Sequence, residues 1–105
     1  MNRLTAASLA QVLEATFPLN ASCWSKATNE VRDMCRGARI LAGLSEGQAV
    51  DFREINSPAE WNRQGIAGTV RFYELLDENK QQQFCERFEE WLVEWQRKAG
   101  LAQPS

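Results

Sequence analysis

The stretch Gln81–Ala99, QQQFCERFEEWLVEWQRKA, decides the fold. Phe84, Phe88, Trp91 and Trp95 follow one another at steps of four, three and four, and Cys85 and Leu92 widen the same side. This spacing lays a single apolar stripe along an α-helix, broader than the narrow seam of a coiled coil. Gly100 then supplies a natural C-cap, and Arg97 and Lys98 stand in the last turn, where the helix dipole favours positive charge. The other helices are expected to pack against this aromatic one.

Working back from it, Asp77 can cap the helix, and Leu76–Glu78 reads as a tight helix–helix turn. Ile66, Val70, Tyr73 and Leu76 continue the apolar spacing upstream, so the last two helices are expected to form an antiparallel hairpin. The earlier arm starts at Ser57-Pro58-Ala59-Glu60, a capping box with proline at the first helical position. Gly65 and Gly68 leave two alternatives. Either the helix breaks into two pieces, or the glycines let another helix approach closely.

Further back, GLSEGQAVDFREINS (Gly43–Ser57) is the one long irregular stretch. It reads as a loop pinned by Val50, Phe52 and Ile55, or as a short extended piece that would need a second copy to pair with. Before it, Trp24, Ala27, Val31, Met34, Ala38 and Leu41 keep a heptad-like register. Asn20 or Ser22 can cap this helix, and Gly43 is its natural stop. Gly37 inside it costs about 1 kcal/mol against alanine unless a neighbour needs the room. At the start of the chain, Thr5 can cap a helix carrying Leu9, Val12, Leu13 and Phe17. Leu4 can staple against Leu9, and Pro18 stops the helix.

The fold expected is therefore all-α: one domain over 1–105, a small bundle of four to five helices with a C-terminal helical hairpin and a frayed tail at about 100–105. A chain of 105 residues can bury a real core without staples. Cys23, Cys35 and Cys85 form no CxxC pair and cannot all be bridged, which points to reduced, buried thiols. Arg3 precedes only a short, polar-interrupted segment, so no signal peptide is read, and no run reaches the ~20 apolar residues of a membrane span. The expected location is the cytoplasm.

The chain has no histidine, which removes the commonest general base and metal ligand together. The carboxylates Glu86, Glu89, Glu90 and Glu94 read as a solvated helix face, and no nucleotide, calcium or zinc motif is present. No enzyme, cofactor or metal site is expected. Net charge is −2, divided as +1 over residues 1–50 and −3 over 51–105, so neither half has the basic footprint of a nucleic-acid binder.

What remains is protein recognition. Arg32, Arg36 and Arg39 form a row on the second helix, and the acidic row Glu86, Glu90 and Glu94 faces outward on the last. Four tryptophans are many for this length, and tryptophan is strong in cores and interfaces alike. Trp61, Trp91 and Trp95, with Glu90, Glu94, Arg32, Arg36 and Arg39, are the candidate protein-binding residues. The reading is a small non-enzymatic regulator that binds and inhibits or modulates another protein, in the manner of an antiactivator or of a phage or mobile-element inhibitor of host machinery. A homodimer is expected through the heptad face of the second helix or the aromatic helix. The alternatives are a DNA-binding regulator using Arg32, Arg36 and Arg39, and a structural subunit or chaperone.

Overall fold

The structure, a computed structural model, describes residues 2–17, 24–45, 47 and 52–98. Four α-helices appear in chain order: α1 Ala6–Thr16, α2 Trp24–Leu41, α3 Pro58–Glu74 and α4 Glu78–Lys98. A 3-10 turn, Phe52–Glu54, precedes α3. The expected all-α bundle is what forms. Pro18, Asn20, Ser22, Cys23, Val50 and Gly100, to which stops, caps or loop contacts were assigned, lie outside the described residues.

Local chemistry sets the boundaries. Thr5 caps α1, its hydroxyl accepting from the Ser8 amide at 3.1 Å. Ser57 caps α3, accepting from the Glu60 amide, with Pro58 in the first turn. The Glu60 carboxylate turns forward, accepting from Arg63 and Gln64. Asp77 caps α4, accepting from the Lys80 amide at 2.8 Å. At the end of α2, the amide of Leu44 donates to the carbonyl of Arg39 and that of Gly43 to Ile40, the paired bonds of a Schellman cap. Gly43 takes φ +73° there, a left-handed conformation that glycine adopts without strain.

The two open alternatives resolve. Helix α3 runs unbroken through Gly65 and Gly68, both buried, and its broadest packing is against α2. The glycines therefore do not break the helix. The extended alternative for the Val50–Phe52 stretch fails at Phe52, which begins a 3-10 turn. Ile55 is half-buried, in keeping with a pinned loop.

The core gathers Leu9, Leu13 and Phe17 of the first helical segment, Val31, Met34, Cys35 and Ala38 of α2, Ile66, Phe72 and Tyr73 of α3, and Phe84, Cys85, Phe88 and Trp95 of α4. Val31, Met34 and Ala38 are each 0–1 % exposed. These three residues of the heptad face of α2 thus pack inside the chain. Cys35 and Cys85 are free and buried, as read. Burial pushes the Cys35 thiol up, against an opposing hydrogen bond with Thr69.

Helices α3 and α4 meet at their shared turn. Tyr73 packs edge-on against Phe84 with ring centres 5.4 Å apart, and its hydroxyl lies 3.3 Å from Cys85 Sγ while donating to the Leu4 carbonyl at 2.5 Å. Gln81 Nε2 donates back to the Tyr73 carbonyl. Beyond this end, the broader packing of α4 is against α2. One buried tyrosine thus ties α1, α3 and α4 together.

Candidate functional site: the groove between α2 and α4

The packing of α4 on α2 produces an open groove of about 420 Å³. From α2 come Asp33, Arg36, Gly37, Ile40 and Leu41; from α4 come Gln83, Phe84, Arg87 and Trp91. Gly37 makes room for Trp91 in the wall of the groove. A Cβ at that position would stand 2.8 Å from Trp91 Cη2, so the missing side chain leaves room for the indole. The expected reason for a glycine within this helix, a neighbour needing space, has a name.

Trp91 is half-buried. One side of it rests on Phe84, with ring centres 5.8 Å apart, and the Arg87 guanidinium lies 5.3 Å from its ring centre. Around this aromatic wall the groove is mixed. Ile40, 58 % exposed, forms its apolar lip. Arg36 is exposed and takes part in no ion pair among the described residues. Asp33, also at the edge, lies 3.8 Å from Arg32. An apolar floor beside an uncommitted guanidinium suits an apolar side chain next to a carboxylate.

The candidate residues separate when placed. Arg36 and Trp91 meet in the groove. Arg32 is exposed and faces Asp33. Arg39 departs from the row: it is 8 % exposed and donates to the Leu44 carbonyl at 3.0 Å. The expected outer face of three arginines is therefore two, because the chain turning at Gly43 presents an acceptor that draws the third inward. Trp95 is core, 1 % exposed and tilted against Phe17 at 5.3 Å between ring centres, so it is not an accessible binding ring. Trp61 is half-buried on α3, away from the lining of the groove. Glu90 is exposed and pairs with Arg87 at 3.1 Å. Glu94 is half-buried and pairs with Arg97.

Two contributors were not singled out from the sequence. Ile40 falls outside the heptad-like register of α2, which makes it an apolar residue with no place on the buried face. Arg87 sits one turn before Trp91, at the spacing at which a guanidinium covers a ring. The off-register isoleucine was the legible signal.

A second concavity, about 520 Å³, lies between α1 and α3, with Phe17, Ile66 and Val70 in it and Glu14, Arg71 and Glu74 at its edges. Among the described residues, no group of three or more cysteine, aspartate or glutamate side chains is placed to hold a metal ion, and no helix is long and apolar enough to cross a membrane. Comparison with protein-family models, with curated proteins and with solved structures gives no match.

Proposed function

We propose that this chain is a small, non-enzymatic, cytoplasmic regulator that binds another protein and inhibits or modulates it by covering a working surface. In this reading α3 and α4 act as a helical hairpin whose second arm presents Trp91. The carrying observation is the α2/α4 groove, where Trp91, exposed Ile40 and the uncommitted Arg36 converge. Aromatic, aliphatic and arginine side chains in one concavity are the composition from which binding hot spots are built. A transcription regulator or a component of host machinery is the class of target proposed, by analogy with other small helical inhibitors.

The test is affinity capture from the native host with the full chain as bait, beside Ile40→Glu and Arg36→Glu. Both substituted positions are exposed, so the fold should survive, as circular dichroism would verify. A discrete protein retained by the wild type and lost from both variants supports the proposal. Equal capture by all three baits, or capture of nothing discrete, counts against it.

A further inference from the structure

The groove has a counterpart on the same helix. Val93 is 62 % exposed on α4, in a shallow depression that it shares with Glu86, Glu89 and Glu90. The buried face of α4 is already furnished by Phe84, Phe88 and Trp95, so packing within the chain gives no reason for this valine. Glu86 and Glu90 are like charges four residues apart, which weakens an isolated helix, and each has a partner within α4: Gln82 donates to Glu86, and Arg87 pairs with Glu90. The groove presents the complement of each feature: the apolar lip of Ile40 and wall of Trp91, with the Arg36 guanidinium beside them.

We infer that the α2/α4 groove and the acidic strip around exposed Val93 are two halves of one self-complementary interface, by which two copies of the chain pair. Val93 of each copy enters the other's groove beside Ile40 and Trp91. The carboxylates of Glu86 and Glu90 meet Arg36 across the contact. The Arg87–Glu90 ion pair is exposed and spans a single helix turn, so it can rearrange at little cost.

Placement on the helix favours a closed dimer. At 3.6 residues per turn, the strip Gln83, Arg87 and Trp91 and the strip Glu86, Glu90 and Val93 lie roughly a quarter-turn apart around α4. A two-fold axis running along α4, between the facing strips of the two copies, sets each acidic strip against the other copy's groove. The contact is therefore isologous and ends at two copies rather than growing into a filament. Opposite charge at the edge sets the register and disfavours an antiparallel arrangement, in which the acidic rows would meet. Pairing also occupies the groove assigned above to partner recognition, so a partner must compete with the second copy. The inference shares that groove but does not depend on the regulatory role.

The deciding experiment is sedimentation velocity of the full purified chain from about 5 to 500 μM, a span that brackets micromolar association. The mean mass should rise toward twice the monomer. Arg36→Glu alone, and Glu86→Arg/Glu90→Arg alone, should each raise the dissociation constant by at least about tenfold. Mixed one to one, the two variants should regain wild-type association, because every contact in the mixed dimer is again between opposite charges. Ile40→Ser should weaken pairing without any change of charge. A monomer at every concentration overturns the inference, as does a dimer indifferent to these substitutions or a mixture that stays apart. A strict monomer that still captures a partner through the groove would refute the pairing and leave the regulatory reading standing. A charge-dependent dimer that captures nothing would do the reverse.

Discussion

Gly37 and Trp91 fit one another across the α2–α4 contact: the glycine lacks the one atom that would stand 2.8 Å from the indole Cη2. Helix propensity alone favours alanine there by about 1 kcal/mol. Steric crowding opposes it, since Trp91 is backed by Phe84 and flanked by Arg87. The ring edge must move by several tenths of an ångström.

Gly37→Ala is therefore expected to destabilise the fold by about 1 kcal/mol, the residue of an overpacking penalty of about 1–3 kcal/mol after the propensity gain. Trp91→Ala in the same background should relieve the clash, so the two substitutions together should cost less than the sum of each alone. A denaturant double-mutant cycle measures this, and additivity within about 0.3 kcal/mol would contradict it. Near-ultraviolet circular dichroism of the Gly37→Ala chain should change even where the helix content does not.

Arg36 and Arg39 stand one turn apart and should behave oppositely. Arg39→Met removes a charged donor from the Leu44 carbonyl within a buried setting and should cost about 1.5–3 kcal/mol in chemical denaturation. Arg36→Met touches an exposed side chain with no ion pair among the described residues and should stay within about 0.5 kcal/mol of wild type. Equal costs would mean that the inward turn of Arg39 carries no stability.

This pair also marks the limit of what the sequence could disclose. Helix starts were legible because their chemistry is local: Thr5, Ser57 and Asp77 each reach an amide three residues on. The buried stripes of α2 and α4 were legible because periodicity reports a face directly. The direction of Arg39 depended instead on where the chain goes after Gly43, a relation that spacing along a helix does not contain. That α3 runs on through Gly65 and Gly68 was likewise not contained in local spacing. Within the groove, Arg36 and Trp91 were named from the sequence, but their meeting required the α2–α4 contact. Phe52 shows the same boundary, because two alternating apolar residues do not separate an extended piece from a 3-10 turn.

Trp95 should respond as a core residue. Its ring is 1 % exposed and packs on Phe17, so Trp95→Ala should cost about 3–5 kcal/mol and bring a small domain close to unfolding. Its indole Nε1 is buried without a hydrogen-bond partner among the described residues, which makes the polar atom dispensable. Trp95→Phe should consequently lose only the area of the second ring and retain the fold, with partner capture unchanged. Thermal melts of both variants separate these outcomes; a mild Trp95→Ala effect would return the residue to the surface.

Tyr73 supplies a signature at alkaline pH. Burial, followed by the neighbouring Cys85 thiol, holds its phenol well above the ordinary 10.0. A phenol whose ionisation is harder in the folded state than in the unfolded chain stabilises the fold fully below pH 10, and that stability drains as pH rises through 10 toward the folded-state value. The loss attributable to this one group approaches about 1.4 kcal/mol per pH unit at its steepest. Tyr73→Phe removes the titrating proton while keeping the ring against Phe84, although it leaves the Leu4 carbonyl without its donor. The variant should thus be about 1–2 kcal/mol less stable at neutral pH, yet flatter between pH 10 and 11.5. Urea midpoints across that range test the claim, and parallel pH profiles for the two proteins would show that the phenol ionises without restraint from the fold.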